Sequence, residues 1–215
     1  MSVLRVLLVD DHAVVRAGYR RLLELDAGIA VAAEAADAAQ GYAVFCTERP
    51  DVSIVDLSLP GGGGGLELIR RMRAHAPQAA VLAFSMHDDA LFAVRALQAG
   101  ARGYVTKRSA PDVLIEAVAA VAGGKTYLSP DIGAQLAGRG ADAAHPLERL
   151  SARELEIFRQ LADGRTIGDI AAALHLSPKT VANYQTQIKE KLGVATSAAL
   201  VHLALRHGLL QPLPN

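Results

Sequence analysis

Four short apolar runs in the first half of the chain each end on a polar residue. Val6-Leu7-Leu8-Val9 runs into Asp10-Asp11, Ile54-Val55 into Asp56, Val81-Leu82-Ala83-Phe84 into Ser85, and Tyr104-Val105-Thr106 into Lys107. Segments of helical periodicity separate them, which is the pattern of a parallel sheet with crossover helices. In such a sheet all strand carboxyl ends lie on one edge, and ligands bind in the crevice there. Three carboxylates, a hydroxyl and an ammonium, distant in sequence, should therefore converge on one small site.

The alternation is regular. Val14 to Leu25 reads as a helix with Val14, Val15, Tyr19, Leu22 and Leu23 on one side. A weak strand is expected at 29–33, a helix at 38–48, a third strand at 51–57 and a helix at 66–75 carrying Arg70, Arg71 and Arg73. Strand four ends at Ser85. Asp88-Asp89 open the next helix, where acidic residues suit the amino-terminal dipole, and Gly100 stops it. Pro111-Asp112 start a final helix reaching about Ala122. Five strands and five helices make one complete α/β domain, residues 1–124. Gly123-Gly124 breaks the pattern, and the glycine-, alanine- and proline-rich residues 125–146 read as a linker with one helical turn around Ile132 to Leu136. Everything after Ser151 looks helical, so residues 147–215 form a second, small all-α domain.

Composition narrows the classes. Net charge is zero overall, but residues 1–124 hold 12 Lys+Arg against 14 Asp+Glu, and residues 147–215 hold 8 against 6. That asymmetry is too mild to establish nucleic-acid binding by itself. The lone Cys46 excludes an intrachain disulfide, which fits a cytoplasmic protein. No uncharged apolar run approaches the roughly 20 residues that span a bilayer, so no membrane partner is expected.

Three convergent carboxylates repel one another and lack enough donors to satisfy them. A hard divalent cation relieves this, and oxygen ligands suit Mg²⁺. The central carboxylate, Asp56, can then attack a phosphoryl group. Lys107 would neutralise phosphate oxygens and Ser85 would donate a hydrogen bond to one of them. Any one of these residues alone is more simply a cap or turn residue; five such groups at the ends of four strands are not.

Asp10-Asp11, Asp56, Ser85, Tyr104 and Lys107 together resemble the receiver domain of two-component response regulators over about residues 3–122. The resemblance implies a doubly wound, flavodoxin-like sheet and Asp56 as phosphoacceptor for a sensor histidine kinase. It implies Asp11, Asp56 and the Ser58 backbone carbonyl as Mg²⁺ ligands, with Asp10 acting mainly through water. Ser85 and Tyr104 would form the conformational relay. Two departures stand out. Leu57-Ser58-Leu59-Pro60 is followed by five glycines, Gly61 to Gly65, beside the metal site, and Arg108 stands where many receivers place proline.

The second domain opens with Ser151-Ala-Arg-Glu154, a capping-box pattern. A short helix beginning at Thr166 and a turn at His175-Leu176 lead to Ser177 as cap and Pro178 at the first position of a longer helix, 178–192. Val181, Tyr184, Ile188 and Leu192 make its apolar stripe; Lys179, Asn183, Thr186 and Glu190 lie opposite, flanked by Ala182 and Gln187. A short helix, tight turn and longer helix is helix–turn–helix geometry, whose second helix enters the major groove. Leu150-Ser-Ala-Arg-Glu154, Ser177-Pro-Lys-Thr-Val181 and Lys191-Leu-Gly-Val194 resemble the LuxR-type domain of NarL/FixJ-class regulators over residues 147–210. That resemblance implies double-stranded DNA, with a two-fold-symmetric promoter site, as a partner and homodimerisation on activation. Base contacts would come from Ala182, Asn183 and Thr186, with Thr180 and Gln187 beside them. Lys179, Lys189 and Lys191 would contact phosphates. Gln185, Thr186 and Gln187 stand where relatives often carry cations, so weak non-specific binding is expected. The last helix, about Thr196 to His207, presents Ala199, Leu200, Leu203 and Ala204, for dimerisation or for the core.

The combined expectation is a transcription regulator, not an enzyme, in which phosphorylation of Asp56 controls the helix–turn–helix domain; RNA polymerase is a further candidate partner. Two other readings remain open. A metal-dependent phosphohydrolase would need a carboxylate two residues after its nucleophile, where this chain has Ser58. A constitutive DNA-binding protein could keep the receiver only for dimerisation.

Overall fold

The computed structural model describes residues 3–60, 64–138 and 146–206. They divide into two compact units, residues 1–141 and 142–215.

In the first unit, β1 (Leu4–Val9), β2 (Ile29–Ala35), β3 (Val52–Asp56), β4 (Val81–Ser85), β5 (Gly103–Thr106) and β6 (Tyr127–Leu128) form one sheet in the order β2-β1-β3-β4-β5-β6. Every pairing is parallel. The connections are α1 (Ala13–Leu23), α2 (Ala38–Glu48), α3 (Gly64–His75), α4 (Ala90–Gln98) and α5 (Pro111–Ala122). Strands buried on both faces explain the unbroken apolar runs. On one face Val6, Leu8, Ile54, Leu82, Phe84 and Val105 pack with Leu23 of α1 and Leu114, Ala117, Val118 and Val121 of α5. The intervening residues Leu7, Val9, Val55 and Ala83 are equally buried on the opposite face. There Gly41 of α2 brings its backbone onto Val9 and Leu68, where a Cβ would lie 3.1 Å from each side chain.

Three expectations need correction. The sheet has six strands rather than five, and the stretch expected as linker supplies the sixth, β6, together with α6 (Pro130–Gly138). A two-residue strand carries no periodicity to read. It exists because Tyr127 N–H donates to Arg102 O and Ser129 N–H to Tyr104 O, extending the ladder of β5. Val14 does not join the inner side of α1: it is 87 % exposed, whereas Leu23 is fully buried. Nine residues at about 100° each place the two on opposite sides of the helix.

The second unit begins with a 3₁₀ turn at Pro146–Arg149, then α7 (Ala152–Ala162), α8 (Ile167–Ala173), α9 (Pro178–Leu192) and α10 (Ser197–Arg206). Its core holds Leu147, Leu150, Leu155, Phe158, Ile170, Val181, Ile188, Leu200 and Ala204. Capping fixes the boundaries. Ser151–Glu154 and Thr166–Asp169 form reciprocal boxes, Ser177 Oγ accepts from Thr180 N–H, and Gly193 closes α9 at φ 67°. Such caps are worth about 1 kcal/mol each. His175, in the turn between α8 and α9, adopts a left-handed conformation at φ 51°. The last helix was expected to reach His207, which lies outside the described residues. No helix among the described residues is long and apolar enough to cross a membrane.

Candidate functional site

Strand order reverses at β1, which is flanked by β2 on one side and β3 on the other, and the crevice of a doubly wound sheet opens at such a point. Register brings the expected residues to it. Val9 pairs with Val55, so Asp10 follows β1 beside Asp56; Asp56 pairs with Phe84, and Ser85 with Thr106, one residue before Lys107. Asp10, Asp11, His12 and Asp56 each offer a ligand atom within 4.8 Å of the others. His12 was not among the expected site residues. Its position directly after the paired aspartates was the available signal.

Lys107 Nζ donates to Asp10 Oδ2 at 2.5 Å and Asp56 Oδ2 at 2.6 Å, and its side chain is only 6 % exposed. The remaining oxygens are satisfied locally: Asp10 Oδ1 accepts from His12 N–H and Asp56 Oδ1 from Ser58 N–H. Burial pushes the Asp56 carboxyl above its usual range, and the Lys107 ammonium offsets this only in part. Burial opposes the charge on Lys107, but Asp56 and Asp10 outweigh it and hold the ammonium above its ordinary value. Asp11 is different. Its Oδ1 is buried without a hydrogen bond among the described residues, and His12 Nδ1 stands 2.8 Å away at ion-pair distance without hydrogen-bond alignment. An orphaned carboxylate oxygen facing two more carboxylates fits a divalent cation.

The loop after Asp56 is built by glycine. A Cβ on Gly65 would fall 2.0 Å from the Asp56 carbonyl oxygen, and Gly64 has φ 56°. Glycine therefore permits α3 to start against the end of β3. Gly61 to Gly63 lie outside the described residues.

Ser85 is fully buried, and its Oγ accepts from His87 N–H at 3.2 Å. Tyr104 is also fully buried, with its hydroxyl donating to His87 O at 2.7 Å. Ser85 and Tyr104 thus engage one residue, His87, of the β4–α4 loop. Lys107 N–H donates to Ser85 O, joining the ammonium-bearing loop to the same segment.

In the second unit, Lys179, Asn183, Thr186 and Gln187 are exposed on α9, and Ala182 is half-buried. The Thr186 hydroxyl donates to Ala182 O, and Thr180 shares a hydrogen bond with Ser177. Lys189 is half-buried. Lys191 reaches 37 residues back to Glu154, donating to Oε2 at 2.7 Å. Of the four residues noted on α10, Leu200 and Ala204 lie in the core, while Ala199 and Leu203 are partly exposed.

Residues 6–119 match the family described as response regulator receiver domain, and residues 148–204 match bacterial regulatory proteins, luxR family. The response regulator UvrY of Escherichia coli (strain K12) is 37% identical over 209 residues, covering 96% of this chain and 95% of that protein. The transcriptional activator protein ExaE of Pseudomonas putida is 40% identical over 211 residues, covering 96% of this chain and 98% of ExaE. Among solved structures, RcsB from Salmonella enterica serovar Typhimurium, bound to promoter rprA in the presence of phosphomimetic BeF3-, superposes with a TM-score of 0.63 at 29% identity, over 94% of this chain and 98% of RcsB.

Proposed function

The chain belongs to the response-regulator family, in the NarL/FixJ class that joins a receiver to a luxR-type domain, and from that premise we propose that it regulates transcription by binding DNA under the control of a phosphoryl group on Asp56. The observation that carries this reading is the Asp10/Asp11/Asp56/Lys107 cluster at the sheet's switch point, on a chain that continues into a helix–turn–helix unit.

Asp56 is the group to be phosphorylated because it sits at the end of the central strand with one oxygen on Ser58 N–H and the other on Lys107. Lys107 already neutralises that carboxylate and would follow the charge onto the phosphoryl oxygens. Asp11, Asp56 and the Ser58 carbonyl would hold Mg²⁺, with Asp10 acting mainly through water. When bound, the ion supplies charge neutralisation for the incoming phosphoryl group. A hydroxyl that accepts one N–H keeps its proton to donate, so Ser85 can remain on His87 N–H while bonding a phosphoryl oxygen.

A sensor histidine kinase supplies the phosphoryl group. An apolar groove of about 460 Å³ adjoins the site, lined by Val14, Tyr19, Leu22, Met86 and Lys107 among others. Val14 and Met86 on its rim are 87 % and 54 % exposed. Apolar surface exposed beside the acceptor is where the kinase's phosphohistidine-bearing partner surface would seat. On α9, Lys179, Asn183, Thr186 and Gln187 face outward to the major groove, with Ala182 and Thr180 beside them; Lys189 and Lys191 flank the phosphates. Activation pairs two copies on a two-fold-symmetric site.

The test is incorporation of radiolabelled phosphate from acetyl phosphate with Mg²⁺. Wild type should label and Asp56→Ala should not; equal labelling of both would remove Asp56 from the acceptor role.

A further inference from the structure

The helix α6 follows β6 and is the last element of the first unit. Two of its side chains reach the loops that flank the acceptor. Asp131 Oδ2 accepts from the Thr106 hydroxyl at 3.2 Å, at the end of β5 one residue before Lys107. Gln135 grips the β4–α4 loop twice: its Nε2 donates to Asp88 O at 2.7 Å and its Oε1 accepts from Ala90 N–H at 3.0 Å. Ile132, between them, is fully buried.

The loop that Gln135 holds is the one that carries the relay. Within six residues, Ser85 Oγ takes His87 N–H, Tyr104 binds His87 O, Arg108 pairs with the Asp88 carboxylate, and Gln135 takes Asp88 O and Ala90 N–H. Side chains from β4, β5 and α6 thus hold the backbone of one short run, and Arg108 holds a side chain on it. A displacement of residues 86–90 that broke the Tyr104 bond would also break the Gln135 pair, because consecutive residues carry them. One polar group of the docked segment is left unsatisfied. The Ser129 hydroxyl at the start of α6 is fully buried with no hydrogen-bond partner among the described residues, which offsets part of what the tethers contribute.

We propose that Asp131 and Gln135 are positioning residues of the phosphorylation switch: docking of α6 and the arrangement of residues 86–90 with Tyr104 inside stabilise one another, so the state of Asp56 is transmitted to α6. The inference rests on Asp56 being the acceptor. Because coupling is reciprocal, phosphorylation tightens α6, and loosening α6 weakens phosphorylation by the same factor. The chain leaves α6 for the second unit, which makes this helix the covalent route out of the receiver.

The experiment is hydrogen–deuterium exchange on the full chain during a beryllofluoride titration with Mg²⁺, following residues 81–92 and 130–138 separately. In wild type both segments should become protected together. In Gln135→Ala the protection of 130–138 should vanish, and the half-saturating concentration read at 81–92 should rise by about 5-fold or more. Asp131→Ala repeats the test through the other tether should Gln135→Ala not fold. Protection of 81–92 alone in wild type, with Gln135→Ala saturating at the same concentration, overturns the role of α6 and leaves the acceptor reading intact. Protection of neither segment overturns both.

Discussion

Lys107 and Asp56, 51 residues apart in sequence, form a buried ion pair of 2.6 Å in which the ammonium also holds Asp10. The lysine is bonded to both carboxylates at once, so it balances charge that the sheet edge has already concentrated.

Removing that cation should therefore be costly, and in a particular way. Lys107→Ala leaves two buried carboxylates uncompensated, and breaking a buried pair costs about 3–5 kcal/mol. Added Mg²⁺ should recover much of the loss, because a divalent cation answers the same charge. Urea unfolding of the first unit with and without Mg²⁺ measures this. An identical loss in both conditions would contradict the electrostatic account.

Glycine at position 65 is a geometric demand. Its hypothetical Cβ meets the backbone oxygen of Asp56, which has no flexible end to turn away. Gly65→Ala should shift the loop after Asp56, cost about 1–3 kcal/mol, and slow labelling from acetyl phosphate. Gly18→Ala, in α1 with nothing within 4 Å, should instead raise stability by about 0.5–1 kcal/mol and leave labelling unchanged. Thermal melts and labelling rates on the two variants separate steric demand from general sensitivity.

The groove beside Lys107 divides phosphoryl donors into two classes. Val14→Glu places a charge on the groove's exposed apolar rim without touching Asp56. Transfer from the cognate histidine kinase should fall by tenfold or so, an estimate equal to about 1.4 kcal/mol of docking. Transfer from acetyl phosphate should be unchanged. Equal loss with both donors would place the defect in the site rather than in docking.

Glu154 makes the second unit acid-sensitive. Burial opposes its ionisation, but Lys191 and the Ser151 cap outweigh that and hold the carboxyl below its usual range. A depressed folded value contributes stability above the unfolded pKa of about 4.3 and loses it as pH falls through the lower folded value. Unfolding of the second unit across pH 3 to 6, a range about that value, should show this loss in wild type and a flatter profile in Glu154→Gln. Matching profiles would contradict it. The same pair withdraws Lys191 in part from DNA phosphates, so a shallow salt dependence is expected of non-specific binding.

What was legible in the sequence follows from what is local. Asp10, Asp56, Ser85 and Lys107 were readable because a parallel sheet brings its strand ends together, so four short apolar runs already imply one crevice. The boundaries of α2, α5 and α9 were marked by their own caps and prolines. The exposure of Val14 also follows from the sequence, since nine helical residues make a half turn beyond whole turns and set it opposite the buried Leu23. α6 carried a signal too: Ser129-Pro130-Asp131 repeats the start pattern of Ser177-Pro178, masked by a glycine-rich neighbourhood. Gln135 on Asp88 and Lys191 on Glu154 had no local signature, because 47 and 37 residues separate the partners and only the fold closes the gap.

The most direct measurement of the central claim is DNA affinity, by fluorescence anisotropy on a duplex selected from genomic DNA, with and without beryllofluoride and Mg²⁺. Wild type should bind about 5-fold tighter or more with the mimic and sediment as a dimer, while Asp56→Ala stays unchanged in both respects. Equal affinity and equal mass for wild type and Asp56→Ala, with and without the mimic, would contradict control of DNA binding by Asp56.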